Sequence, residues 1–314
     1  MAVRTDDSRP RTRGRPTLRR GRENRAAFAF LAPWLLGAAL LTAGPMLASL
    51  FLSMTDFDLL STPSWVGLDN YERMFTDDPR YLASIKVTTM YVLISVPLSV
   101  TVALLVAVLL NQKVRALGFF RSAYYLPSLL GGSVAIAILW RQIFGNDGLI
   151  NNILALVGID GPGWISTPEY AIWALIFLHV WQFGSPMVIF LAGLKQIPPE
   201  LKEAAAVDGA GAIRTFAVIT LPLLTPLILF NLVMQTIVSF QAFAPAFIIS
   251  GGTGGPVNST LFYTLYIYLE GFGNYRMGYA SAMAWVLLLI IGVFTAFMFL
   301  TSRRWVHYQD GRDT

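Results

Sequence analysis

Glu203-Ala204-Ala205-Ala206-Val207-Asp208-Gly209-Ala210-Gly211-Ala212-Ile213-Arg214-Thr215-Phe216-Ala217-Val218-Ile219-Thr220-Leu221-Pro222 is a short polar island between two long apolar runs. Pro198 and Pro199 precede it and suit the first positions of a helix, where a missing N–H costs nothing. Glu200 and Glu203 then fall near the positive end of that helix. The run from Leu201 to Asp208 has helical propensity, and its three consecutive alanines give a thin face that another protein could approach closely. Gly209 supplies the permissive backbone that ends the helix, and Gly211 loosens the turn. A second short helix is expected to run toward Leu221-Pro222, where the chain turns apolar again. Residues 195–222 make a longer and more structured loop than a plain connector needs.

The flanking runs set the fold class. Of 314 residues, 55% are hydrophobic and 13% charged, against an ordinary charged share of about a quarter, and the mean hydropathy is +0.58. Six apolar blocks exceed the roughly 18 residues that favour a bilayer span: Phe28 to Leu52, Ile85 to Leu110, Ser122 to Phe144, Tyr170 to Leu194, Leu223 to Ile249 and Tyr279 to Thr301. The expectation is an all-α, polytopic membrane protein with six transmembrane helices over residues 28–301, a basic disordered tail over 1–27 and a short C-terminal tail over 302–314.

An even number of spans puts both termini on one side, and the excess of Lys and Arg marks the cytoplasmic side. With the N-terminus inside, 18 of the 23 basic residues are cytoplasmic. They are the nine arginines of the tail, Lys113, Arg115 and Arg121 after span two, Lys195, Lys202 and Arg214 around the island, and Arg303, Arg304 and Arg312. Only Arg73, Arg80, Lys86, Arg141 and Arg276 fall outside. The first block is longer than a signal-peptide core and reads as a retained anchor. Its basic prefix reads as a topology signal facing lipid headgroups, not as a nucleic-acid binder. The acids Asp56, Asp58, Asp69, Glu72, Asp77, Asp78, Asp147, Asp160, Glu169 and Glu270 fall outside and read as a solvated surface.

The island, with EAA, then Gly209, then nine residues to Ile219-x-Leu221-Pro222, resembles the EAA loop of the membrane-spanning subunits of ATP-binding-cassette importers. Val66-Gly67-Leu68-Asp69-Asn70-Tyr71, Phe119-Phe120-Arg121 with Leu126-Pro127, and Gly254-Gly255-Pro256 with Asn258-Ser259-Thr260 are similar to the carbohydrate-type permeases of that family. The resemblance implies that Glu203, Ala204, Ala205, Asp208, Gly209, Ile219, Leu221 and Pro222 form the element that docks into a cytoplasmic ATPase, with Glu203 the charged contact. It implies two ATPase subunits, a second homologous permease, an extracytoplasmic solute-binding protein, and a sugar or similar polyhydroxylated solute crossing the cell membrane.

Other chemistry finds little support. No G-x-x-x-x-G-K-[ST] phosphate cradle occurs, so ATP hydrolysis is expected in partner subunits and no cofactor is expected. Gly251-Gly252-Thr253-Gly254-Gly255 lacks the lysine and reads as a flexible gate or partner-contact loop. His179 and Ser185 are six residues apart, on separated faces of a helix, and make no catalytic dyad. His179 and His307, with no cysteine, make no recognisable metal cluster. The alternative is a stand-alone ion-coupled carrier or channel, which would be expected to bury ionisable groups at mid-membrane; the six blocks hold none there.

Uncharged polar and aromatic groups within the spans are the candidates for a solute pathway: Trp181 and Gln182 in span four; Asn231, Gln235, Phe240, Gln241 and Phe243 in span five. Amides beside rings suit sugars, and helix-to-helix hydrogen bonding is the competing role. Asn231 and Gln235, four apart, can share a face, whereas Gln235 and Gln241 cannot both point inward on a straight helix. Prolines at 97, 186, 226 and 245 are positioned to kink these spans.

Overall fold

The computed structural model describes residues 18–112 and 116–307. Lipid offers the backbone no hydrogen-bond partners, so the apolar runs satisfy themselves as helices. In chain order these are α1 (Leu18–Ala38), α2 (Gly44–Leu52), α3 (Asp69–Thr76), α4 (Pro79–Leu110), α5 (Leu117–Leu130), α6 (Val134–Ile143), α7 (Leu149–Leu156) and α8 (Pro168–Trp181). There follow α9 (Gly184–Gln196), α10 (Pro199–Val207), α11 (Ala212–Thr215), α12 (Leu221–Phe240), α13 (Ala244–Ile249), α14 (Tyr263–Tyr268) and α15 (Met277–Ser302). Among the described residues the only β pairing is one antiparallel bridge between Thr55 and Trp65.

The chain divides into two units, residues 1–51 and 52–314. In the first, α1 and α2 join through a π-helical turn, Ala39–Ala43, into an apolar stretch, Phe28–Leu52, long enough to span. The helix is described from Leu18 onward, so residues 18–27 are helical and not disordered as expected. Arg, Glu and Ala are good helix formers, and extending an existing helix avoids the cost of nucleation. Residues 1–17, Lys113 to Arg115 and 308–314, with the basic residues counted there, lie outside the described residues.

In the second unit α4 is central. Its buried positions Tyr81, Ser84, Thr88, Tyr91, Ser95, Ser99, Ala103 and Ala107 recur every three or four residues, and the small ones let α8, α9 and α12 approach closely. Helices α4, α11–α12 and α15 are each long and apolar enough to span, and α5–α6 and α8–α9 are bent pairs that could each be one further crossing.

Three of the expected spans are broken. The third, expected as one run from Ser122 to Phe144, bends by 99° between α5 and α6. Gly131 and Gly132 are poor helix formers, and Ser133 caps α6 by accepting the Ile136 N–H at 3.3 Å. The fourth bends by 40° between α8 and α9, ahead of Pro186. The fifth, expected to run to Ile249, ends at Phe240; Pro245 near the start of α13 lacks the N–H that continuation would need.

The segments expected on the outer side are tied down tightly. Gly67 takes φ +64°, and Asn70, three residues later in the first turn of α3, donates from Nδ2 to the carbonyls of Ser53 and Thr55 at 2.9 and 2.8 Å. Tyr71 Oη lies 2.8 Å from Ser53 Oγ. Gly278 in α15 presses on the same segment, where a Cβ would fall 2.0 Å from the Thr55 carbonyl oxygen. The Gly-Leu-x-Asn-Tyr pattern is therefore a clasp on residues 53–55. Gly251–Gly255 is likewise not a free loop. Gly254 N–H donates to Ser250 Oγ at 3.1 Å and Thr260 Oγ1 donates to the Gly255 carbonyl at 2.7 Å, with Thr260, Leu261 and Phe262 buried beneath.

Two of the acids expected outside depart from the solvated surface. Glu270 is 3% exposed, held by Arg276 at 3.3 Å and by Asn274 Nδ2 at 2.8 Å. Asp78 accepts hydrogen bonds from Tyr279 Oη at 2.6 Å, Tyr266 Oη at 2.7 Å and the Tyr81 N–H at 3.0 Å. One carboxylate thereby joins the entry of α4 to α14 and α15.

Candidate functional site: a docking notch and a cavity between broken helices

The polar island folds as its residues dictate. Pro199 opens α10 with its fixed φ, and Glu200 lies in the first turn. The helix closes with the Ala210 N–H donating to the Ala205 carbonyl at 2.9 Å and the Gly209 N–H to the Ala206 carbonyl at 3.1 Å, while Gly209 takes φ +75°. This is the paired closure that a left-handed glycine makes possible. Gly211 then caps α11 in extended geometry, and its carbonyl accepts from Thr215 Oγ1 at 3.1 Å.

The expected separate helix before Leu221-Pro222 is instead the start of span five. Residues Ala212–Phe240 form one 29-residue helix, widened by a π-turn at Phe216–Thr220 in which the Leu221 N–H reaches the Phe216 carbonyl. Pro222 follows at once, and in an ordinary turn its ring would strike the carbonyl four residues back; the wider turn relieves that clash. The turn at Ala39–Ala43 precedes Pro45 at the same spacing.

Between α10 and this helix lies a notch of about 330 Å³, with Ala204, Ala205 and Asp208 on one wall and Arg214, Val218 and Ile219 on the other. Ala205 is buried. Glu203 is exposed and stands outside the notch, and Leu221 and Pro222 are half-buried behind it. Val207 and Ile213 flank the turn at 88% and 87% exposure. Sequence reasoning passed over both. Their signal was two branched apolar side chains bracketing a Gly-x-Gly turn in an otherwise polar loop.

A second feature arises where the helix breaks converge. A cavity of about 390 Å³ is lined by Gly131 and Gly132 at the first break, Gln182 at the second, and Gln241, Ala242 and Phe243 at the third. Tyr91 of α4 and His179 of α8 complete its wall. Tyr91 lies 12 residues into α4, about 18 Å along it. Breaking a helix frees carbonyls and N–H groups, and here side chains satisfy them. Gln182 Nε2 donates to the carbonyls of Gly131 and Leu178, both at 3.2 Å. Ser128 Oγ donates to the Gln182 carbonyl and accepts the Ser185 N–H, each at 2.9 Å. Gly184 allows this crossing, since a Cβ there would lie 2.5 Å from the Tyr124 carbonyl oxygen.

Of the seven pathway candidates, Gln182, Gln241 and Phe243 line this cavity. The other four do not. Asn231 is 2% exposed and donates to the Leu227 carbonyl of its own helix at 2.9 Å. Gln235 is half-buried away from the cavity. Phe240 is buried against Phe294, ring centroids 5.0 Å apart, and Trp181 packs on Trp140 at 5.6 Å. Gln241 lines the cavity and Gln235 does not, as a separation of six residues implies, whereas Asn231 and Gln235, which could share a face, both stay outside it. A larger groove of about 410 Å³ between α9 and α12 is aliphatic apart from Gln196, and offers a solute little hydrogen bonding.

Comparison with known proteins agrees with this architecture. Residues 76–307 match the family model described as binding-protein-dependent transport system inner membrane component. The chain is 54% identical over 290 residues to the probable ABC transporter permease protein YesP of Bacillus subtilis (strain 168), covering 92% of this chain and 94% of that one. It is 34% identical to the lactose transport system permease protein LacF of Rhizobium radiobacter, covering 87% and 93%. In fold it resembles a chain of a bacterial alginate ABC transporter crystallised with an alginate pentasaccharide-bound periplasmic protein, with TM-score 0.78, 22% identity and coverage of 92% and 97%. The chain therefore belongs to the family of inner membrane components of binding-protein-dependent transport systems, and is a multi-pass membrane protein.

Proposed function

We propose that the chain is one of two permease subunits of a sugar importer, that a cytoplasmic ATPase docks at the notch between α10 and the start of span five, and that the solute crosses through the cavity between the broken helices. The notch carries this reading. It presents an alanine wall, an Asp208–Arg214 pair of opposite charges and two exposed apolar tips, Val207 and Ile213, which is a shape and chemistry fitted to a protein cleft. Rigid continuity from Ala212 to Phe240 then gives a push on the notch a direct route to Gln241 and Phe243 at the cavity.

Both termini and the notch are assigned to the cytoplasm by the basic-residue bias. The solute class follows from amides beside rings at the cavity and from relatives named for lactose, multiple-sugar and arabinooligosaccharide transport. An extracytoplasmic binding protein would deliver the solute to the outer face, and ATP binding in the partner subunits would close them and move α10.

The chain has no native cysteine, so Ala204→Cys supplies a single site. Cross-linking of this residue to a cysteine in the ATPase cleft, changing with nucleotide, is the expected result. Absence of any cross-link in all nucleotide states, with the complex intact, would remove the docking reading.

A further inference from the structure

Resting on the reading of the cavity as the solute site, we propose that His179 is a specificity-determining residue within it, and hydrogen-bonds a hydroxyl of the polyhydroxylated solute. Three observations carry this. First, His179 lies on α8 one turn before Gln182, so the two side chains share a face, and both line the cavity. Gln182 is committed to the Gly131 and Leu178 carbonyls through its nitrogen and keeps only its amide oxygen, an acceptor, to spare, so the imidazole is the group on this face of α8 that can still donate as well as accept.

Second, the ring is held but not saturated. Its Nε2 stands 3.4 Å from Ser239 Oγ, at the long end of hydrogen bonding, and its ring meets that of Tyr91 in a T-shaped contact at 5.9 Å between centroids. Among the described residues no partner is found for Nδ1. An imidazole carries one donor and one acceptor when neutral, and can meet a sugar hydroxyl in either sense. Third, Thr236 lies one turn before Ser239 on α12, is 1% exposed, and its Oγ1 is buried without a hydrogen-bond partner. Buried hydroxyls are rarely left so, and this one, though not part of the cavity lining, sits on the helix whose Ser239 meets His179. Tyr91 and Phe243 add ring surface to the same cavity lining, the pairing of apolar face and hydrogen bonding that a pyranose presents.

The test uses the assembled transporter with its ATPases, second permease and binding protein. His179→Cys, in the otherwise cysteine-free chain, is exposed in vesicles to a hydrophilic methanethiosulfonate with and without a mixture of lactose, maltotriose and raffinose. Labelling slowed at least fivefold by the sugars is expected; no labelling in any nucleotide state would overturn the proposal. Uptake of the best-transported of these sugars is then compared for His179→Ala, His179→Gln and Gln182→Ala. We expect His179→Ala to raise KM at least tenfold with less than a threefold change in maximal rate, and His179→Gln, which keeps a donor and an acceptor, to recover most of it. An unchanged KM in His179→Ala beside a raised KM in Gln182→Ala would overturn the role of His179 alone. Unchanged KM in both would overturn the cavity itself. Should His179→Ala fail to assemble, a KM for His179→Gln equal to that of a His179→Leu variant would count against the proposal.

Discussion

Gln182 donates its side-chain amide to the Gly131 carbonyl across 3.2 Å, tying the break in span four to the break in span three. Neither break is stable alone, because each frees backbone groups that lipid cannot satisfy. Together they close on each other and leave at their junction a cavity whose mostly apolar wall carries His179, Gln182 and Gln241. A Cβ at Gly131 would fall 2.0 Å from Gln182 Cδ, whereas one at Gly132 would meet nothing within 4 Å.

Gly131→Ala should therefore expel Gln182 and leave two carbonyls unpaired. Overpacking of this kind costs about 1–3 kcal/mol, and we expect at least a tenfold loss of uptake with a lowered melting temperature of the purified complex. Gly132→Ala should remain within twofold of wild type in uptake. Equal behaviour of the two variants would contradict the assignment of the break.

Asn70 holds the carbonyls of Ser53 and Thr55 with its two amide hydrogens. Asn70→Ala leaves both without their partner, at about 1–3 kcal/mol. Asn70→Asp should be worse than alanine, since a carboxylate would face two carbonyl oxygens with nothing to donate. Thermal unfolding in detergent, ranked wild type above Ala above Asp, checks this; a benign Asp variant would show that the clasp is not formed.

The all-helical membrane class and the short helix closed by Gly209 were legible because each rests on local information. Apolar length decides a span, and Pro199, the alanines and Gly209 decide a helix and its end within one turn. The cavity was legible only in part. Gln182, Gln241 and Phe243 stood out as polar or aromatic groups in apolar runs, but so did Asn231, which its own helix satisfies. Telling them apart requires knowing where helices break. The breaks depend on tertiary partners such as Ser128, whose hydroxyl joins residues 54 and 57 positions away. His179 is weighed in the sequence against Ser185 and His307 and not as a pathway residue, because its true neighbours, Tyr91 and Ser239, are distant in the chain.

Asp78 gives a pH signature. Burial raises its carboxyl's pKa, but hydrogen bonds donated by Tyr279, Tyr266 and the Tyr81 N–H outweigh burial and hold it below the ordinary 3.8. A depressed folded-state value means that its stabilisation is complete above the unfolded value and fades as pH falls through 3.8 toward the lower folded one. The gap in melting temperature between wild type and Asp78→Asn should thus be constant above about pH 5 and narrow below it. Tyr279→Phe removes one donor, brings the carboxyl nearer its ordinary value and should shrink the gap as well. A gap independent of pH down to the acid limit would mean that the carboxylate charge contributes nothing to the joint between α4, α14 and α15.

Gly209 separates the shape of the docking notch from its chemistry. Its φ of +75° is one that a side chain disfavours, and nothing lies within 4 Å of a Cβ built there. Gly209→Ala should therefore act through backbone strain alone, about 1–2 kcal/mol, enough to reopen the end of α10 without altering any contact surface. Gly209→Asn, which tolerates the left-handed region, should be milder, and Gly211→Ala, at φ −67° with open space around it, close to neutral. If α10 transmits force, uptake should fall in the order Gly211→Ala, Gly209→Asn, Gly209→Ala, while solute binding at the outer face, read by association of the loaded binding protein, stays intact. Equal uptake in all three would mean that the geometry closing α10 is dispensable, and that coupling does not run through this turn.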